Sequence, residues 1–156
     1  MPHDGIVIRR DDPAAAHVAA LLDFHLAELH DVMTPEFAFA LDATGLSSPA
    51  ITFWTAWRGN TLVGMAALKD QAADWGEVKS MRAAPEARGT GVGRALIAHI
   101  VETARARGYR RLMLETGTAD THAAAVSLYR SVGFVDCDAF ADYRPSPHNR
   151  FMTLAV

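Results

Sequence analysis

The stretch Arg88-Gly89-Thr90-Gly91-Val92-Gly93 constrains this chain more than any other, because it ends a strand-like segment and opens a long amphipathic helix. A junction of that kind binds anions. Glycines let the backbone turn tightly and approach a phosphate closely, while the unsatisfied N–H groups and positive dipole end of the next helix favour negative charge. Arg88 and Arg94 add fixed positive charge on either side. The spacing narrows the ligand. A dinucleotide fingerprint needs glycine in the last place of G-x-G-x-x-G, and counting from Gly89 that place holds Arg94. The Gly-Lys-Ser/Thr of a P-loop is absent. What remains is Arg-x-x-Gly-x-Gly, and a turn that merely caps a helix is the competing reading until the flanks are examined.

At 156 residues the chain is expected to form one domain, residues 1–156, burying about two thirds of its unfolded surface. A hydrophobic content of 50% with 21% charged residues argues against disorder. The formal net charge of −3 argues against a general nucleic-acid binder, so the arginines around the glycines read as a local anion site. One cysteine, Cys137, excludes an internal disulfide and suits a reducing compartment. The first residues lack a basic-then-apolar signal pattern and no apolar run approaches a membrane span, so the cytoplasm is the expected location.

Residues Ile6 to Arg10 read as a strand, after which Asp12-Pro13 predicts a helix start. That helix carries Val18, Leu21, Leu22, His25 and Leu29 on one stripe. Thr34-Pro35-Glu36 predicts a second short helix to about Leu41, followed by a loop from Ala43 to Pro49. Ile51 to Arg58 and Thr61 to Lys69 read as an antiparallel pair turning at Gly59-Asn60. A fourth strand runs from about Trp75 to Ala83, and after the glycine loop a helix runs from Gly91 to Arg107. Arg111 to Thr116 is a compact strand, and Asp120-Thr121 is expected to cap a helix bearing Ala125, Leu128, Tyr129 and Val132. Phe134 to about Phe140 and Arg150 to Leu154 are the last strand candidates.

The order β-α-α-β-β-β-α-β-α-β-β, with Arg-x-x-Gly-x-Gly between the fourth strand and third helix, resembles the GCN5-related N-acetyltransferases, the GNAT superfamily, over nearly the whole chain. A second marker, Ala125-x-x-Leu128-Tyr129-x-x-x-Gly133-Phe134, is similar to that family's fourth-helix signature. Ile51 to Trp54, Glu77 to Arg82 and Phe140 to Tyr143 look like a bacterial YsnE-like branch. The resemblance implies an α/β (α+β) acyl-CoA N-acyltransferase fold: a mixed, mostly antiparallel sheet, fourth and fifth strands splayed apart, helices on both faces. It implies acetyl-CoA as co-substrate and no metal. The pantetheine arm would lie along Met81, Arg82 and Ala83, with a backbone N–H near Met81 polarising the thioester carbonyl. Arg88, Gly89, Thr90, Gly91, Val92, Gly93 and Arg94 would hold the pyrophosphate. His122 stands where the family often has a cofactor-facing asparagine.

Direct acetylation of an amine needs a base for the ammonium and an acid for the departing thiolate. Glu77, on the fourth strand where the GCN5 histone acetyltransferases that it resembles carry a glutamate base, is the base candidate, acting directly or through water. The alternative is that it pairs with Lys79, two residues along on the same strand face. Tyr129 is the acid candidate, since a phenol with pKa near ~10 stays protonated at neutral pH; its alternative is core filling on the helix's apolar stripe. His25, Glu28 and His30 could suggest a metal, but the two histidines are too far apart around a helix to share a ligand face, which leaves His25 as a hydrogen-bonded core histidine. Asp136, Asp138 and Asp142 form a late acidic cluster, either a solvated face or an attraction for a cationic amine.

The expected activity is transfer of acetyl from acetyl-CoA to a primary amine of a small molecule or peptide. The partners expected are that acceptor and a second copy in a homodimer, with neither nucleic acid nor membrane. A non-catalytic acyl-CoA-binding or sensing domain is the alternative. A nucleotide-binding Rossmann domain is disfavoured by Arg94 and by the antiparallel hairpin at Gly59-Asn60.

Overall fold

The computed structural model describes residues 5–32 and 41–156, with the side chains of residues 30–32 excepted. Among the described residues, seven strands form one sheet in the order β1-β2-β3-β4-β5-β7-β6. They are β1 (Ile6–Arg10), β2 (Ile51–Arg58), β3 (Thr61–Ala72), β4 (Trp75–Ala83), β5 (Arg111–Gly117), β6 (Val135–Asp136) and β7 (Asn149–Ala155). The helices are α1 (Ala16–Val32), α2 (Ala43–Leu46), α3 (Val92–Ala106) and α4 (Ala123–Val132). All neighbouring strands are antiparallel except β4 and β5.

Alternation along β3 distributes the helices to both faces. Gly64 faces α3, so closely that a Cβ there would stand 2.6 Å from Val92 Cγ1. The next residue, Met65, is paired with Arg82, whose side chain reaches α1 on the opposite face. The principal core joins Val18, Leu22, Phe53, Met65, Leu68, Leu96, Ile100, Leu112 and Leu114. A second cluster of Met113, Phe140 and Phe151, with Trp75 and Tyr143 against it, lies over β5 and β7.

The expected strands β1, β2 and β4 have the observed bounds, because pattern and turn residues agree there. The short helix expected before Leu41 falls on residues 34–40, outside the described residues. The loop expected from Ala43 to Pro49 contains α2, whose N-cap Asp42 accepts from the Gly45 N–H at 2.9 Å. The first helix starts three residues later than Pro13, because Asp12 Oδ1 accepts from the Ala14 N–H and holds a turn instead. Asp120 caps nothing; a 3-10 turn over Asp120–His122 leads into α4. The sixth strand is two residues rather than seven. Beyond Asp136 the chain turns back, with Ala141 at φ 51° and the Tyr143 N–H donating to the Phe140 carbonyl, which sends Phe140 and Tyr143 inward to the second cluster.

Candidate active site

The glycine loop opens α3 as the spacing predicts. Gly89 and Gly91 sit at φ 74° and 91°, in the left-handed region that favours glycine, and a Cβ on either would meet nothing within 4 Å. Glycine is therefore required for backbone sign, and the space beside it is open to a ligand. The loop is tethered from an unexpected quarter: Arg58, at the end of β2, donates from Nη1 to Thr90 Oγ1 at 2.8 Å and from Nη2 to the Thr90 carbonyl. No motif marks Arg58; only the sheet order brings the β2–β3 hairpin end to this loop. Arg88 reaches Glu28 at 3.3 Å, and Arg94 donates to Ser131 at 3.2 Å, so α1 and α4 both hold the loop's cations. Gly93 lets α3 approach α4, since its Cβ would stand 2.9 Å from Leu128 Cδ2.

β4 and β5 pair only from Trp75–Arg111 to Val78–Leu114. Past that point β4 carries a bulge: Lys79 pairs with Ala67 and Arg82 with Met65, one residue too many on β4, and Ser80 takes φ 52°. The strands part, leaving residues 79–83 of β4 unpaired on the β5 side among the described residues. Into this opening runs a cavity of about 440 Å³, walled by Met81, Arg82, Ala83, the loop residues Arg88, Gly89, Gly91, Val92, Gly93 and Arg94, and His122 and Tyr129. Thr90, which completes the expected set, is turned to Arg58 and to the Ala87 carbonyl instead.

The side chain of Arg82 points away from the opening. Its Nε–H donates to His25 Nδ1 at 3.0 Å and its guanidinium pairs with Glu28. The donation makes Nδ1 an acceptor, so the His25 proton sits on Nε2. Burial, then the adjacent Arg82 charge, drives the His25 pKa down to about 3. Burial raises the Glu28 carboxyl, but the hydrogen bonds and charges of Arg82 and Arg88 outweigh it and hold it below the ordinary value. No group of metal-binding residues occurs among the described residues.

Glu77 is 2% exposed and lies in the cavity wall. Its Oε1 accepts from Gln71 Nε2 at 2.7 Å, and its Oε2 from Lys79 Nζ at 3.1 Å and from the Tyr143 hydroxyl. The pairing with Lys79 thus exists, and the carboxylate borders the cavity as well. Gln71 and Tyr143 escaped the sequence reading for structural reasons. Gln71 is the extra residue of a bulge, since Asp70 pairs with Gly76 and Ala72 with Trp75; Tyr143 arrives through the turn after β6. Tyr129 both packs on Phe134, ring centroids 5.7 Å apart, and lines the cavity. Burial pushes its hydroxyl pKa up to about 12, which keeps it protonated.

Two further polar groups face this space. His122 Nε2 is enclosed without a hydrogen-bond partner among the described residues, and burial, then Arg82, lowers that imidazole's pKa. Glu115, at the carboxyl end of β5, was missed; a lone acid closing an apolar parallel strand is the signal that could have found it. Asp136, Asp138 and Asp142 are exposed and none lines the cavity; Asp136 is engaged by Arg130 at 3.2 Å and Arg150 at 3.4 Å.

An open left-handed glycine turn at a helix start and, among the described residues, an unpaired strand edge and an imidazole Nε2 without a partner fit a long ligand with an anionic group and an amide-bearing arm. Comparison with known proteins agrees with that shape. Residues 18–134 match the Acetyltransferase (GNAT) family. The chain is 42% identical to the N-acetyltransferase YedL of Escherichia coli (strain K12) over 149 residues, 96% of this chain and 94% of YedL. It is 42% identical to the N-acetyltransferase YsnE of Bacillus subtilis (strain 168), over 94% of this chain and 97% of YsnE. A solved structure from Klebsiella pneumoniae, assigned as an acyl-CoA N-acyltransferase, superposes with a TM-score of 0.77 at 26% identity, covering 96% of this chain and 97% of its own.

Proposed function

Since the chain belongs to the acetyltransferase (GNAT) family, we propose that residues 1–156 act as one N-acetyltransferase domain that moves acetyl from acetyl-CoA directly to a primary amine of a small molecule or peptide. The observation that carries this reading is the continuity of one cavity from the glycine loop, past the parted edge of β4, to Tyr129 and the acidic wall of β4 and β5. The loop residues and Arg88 hold the pyrophosphate, and the edge from Met81 to Ala83 receives the amide arm. His122 offers its enclosed Nε2 to the same ligand. Tyr129 is the acid, its proton retained by burial until a thiolate develops beside it. A wall carboxylate, for which Glu77 is the expectation from sequence, accepts the ammonium proton.

A screen of acetyl-CoA-dependent thiol release across polyamines, amino acids, aminoglycosides, arylamines and peptide N-termini tests the reading, with at least one amine expected to be turned over. One observation favours the second reading, a domain that binds acyl-CoA without chemistry: Glu77 is already held by three donors. Tight acetyl-CoA binding without thiol release across the whole panel would establish it.

A further inference from the structure

We propose that Glu115 is the catalytic base, receiving the acceptor's ammonium group and taking its proton, while Glu77 is a positioning residue that holds Lys79 and Tyr143. The assignment rests on the amine-acetylation reading above and divides its acidic wall into two tasks.

The sheet register puts Glu115 at the decisive point. Val78–Leu114 is the last pair of the parallel ladder, so Lys79 and Glu115 are the residues at which the two strands begin to part. Glu77 lies inside the ladder, paired with Met113. The two carboxyls also differ in what surrounds them. Glu77 already accepts from Gln71, Lys79 and Tyr143, so most of its acceptor capacity is taken and a proton added there would weaken the bonds that hold it. Asn149 is a hydrogen-bond partner of the Glu115 carboxyl, yet its Oε2 is enclosed and has no hydrogen-bond partner among the described residues. A buried acceptor oxygen without a donor, beside a ligand cavity, is a place a donor is expected to fill. An ammonium entering the mouth of the parted strands supplies one.

Charge supports the same division. The groups facing Glu115 are Glu77 and Lys79 from β4, Tyr143 from the segment before β7, and Asn149 on β7. Burial raises the Glu115 carboxyl pKa to about 7; Lys79 and Asn149 oppose the rise and Glu77 adds to it. A base so poised is ionised in good part at neutral pH, yet holds a proton far better than an ordinary carboxylate.

The proton balance closes. Glu115 takes one proton from the ammonium, leaving a neutral amine whose lone pair forms the C–N bond at the thioester carbon as the C–S bond breaks. The departing sulfur takes the Tyr129 hydroxyl proton. The second proton lost by nitrogen on amide formation restores Tyr129 by way of solvent, and Glu115 returns its proton to solvent. Each turnover of an ammonium substrate therefore releases one proton.

The test compares the pH dependence of kcat/KM for wild type, Glu115→Gln, Glu115→Asp and Glu77→Gln, using the panel amine that wild type turns over fastest. Wild type should show an acid limb near neutral pH. Glu115→Gln should lose that limb and at least a hundredfold in kcat, with acetyl-CoA affinity by calorimetry within about twofold of wild type, because the loop is untouched. Glu115→Asp, if the carboxyl is a base rather than a packing element, should recover part of the rate and a displaced limb. Glu77→Gln should be slower while keeping the limb. An intact limb in Glu115→Gln, or its loss in Glu77→Gln alone, overturns the assignment while leaving amine acetylation standing. Acetyl-CoA binding with no turnover of any panel amine by wild type overturns the acetylation reading and the base with it.

Discussion

Tyr129 has two faces: its ring fills the core against Phe134 while the residue borders the cavity. Tyr129→Phe keeps the ring and removes the proton. It is expected to lower kcat on the order of tenfold to several hundredfold with acetyl-CoA affinity nearly unchanged, and steady-state kinetics beside calorimetry separates the two. His25 makes a prediction about stability. In the unfolded chain it titrates near 6.5, and in the fold, buried and accepting from Arg82, at about 3. Between those values the unfolded state binds a proton that the native state refuses, so the stability from His25 is fully present above pH 6.5 and is lost as pH falls toward 3. The slope is at most roughly 1.4 kcal/mol per pH unit. His25→Asn, whose amide oxygen can still accept from Arg82, should flatten the fall of the urea midpoint below pH 6.5; His122 and His99, also lowered by burial, keep it from vanishing. An unchanged pH slope would locate the acid sensitivity elsewhere.

At the scale of elements, the glycine loop depends on its neighbours as much as on its own residues. Arg58 clasps Thr90 from the β2–β3 hairpin, and Arg94 ties the start of α3 to α4. Arg58→Ala should weaken acetyl-CoA binding on the order of threefold to tenfold by leaving the loop less ordered before the ligand arrives. Gly91→Asp should abolish binding, since it sets a negative charge against the pyrophosphate at a backbone angle that penalises any side chain. Calorimetry on both folded variants ranks the two effects, and unchanged affinity in Gly91→Asp would remove the loop from the cofactor site. The loop and Tyr129 were legible because each is a local spacing that a single turn or helix face displays. Gln71, Arg58 and Tyr143 were not. Gln71 reaches Glu77 only through a bulge, Arg58 reaches Thr90 only across the sheet, and Tyr143 is carried inward by a turn just past the strand expected to about Phe140. For the acidic cluster of Asp136, Asp138 and Asp142 the sequence offered a solvated face or an attraction for a cationic amine, and their exposure outside the cavity agrees with the first.

Over the whole molecule, β1 to β4 form an antiparallel group and β5, β7 and β6 another, joined by the single short parallel ladder from Trp75 to Val78. Its neighbours are longer: β5 pairs with β7 from Arg111 to Gly117, and β3 with β4 from Gly64 to Ala72. The strands and their order along the chain were recoverable because hairpin turns and glycine stops punctuate it, whereas the placing of β7 between β5 and β6, and the length of the ladder between β4 and β5, depend on long-range pairing that no local pattern announces. That parting has a cost of another kind. A closed sheet hides its backbone groups, but here two strand edges face each other without meeting, in the middle of the sheet rather than at its margins. Such edges are templates for foreign strands. The ligand-free protein should therefore scatter light on heating sooner than its thermal midpoint alone predicts, and saturating acetyl-CoA should delay turbidity by more than it raises that midpoint. The cleft proposed to take the acetyl-CoA arm is, left empty, also an opening for self-association.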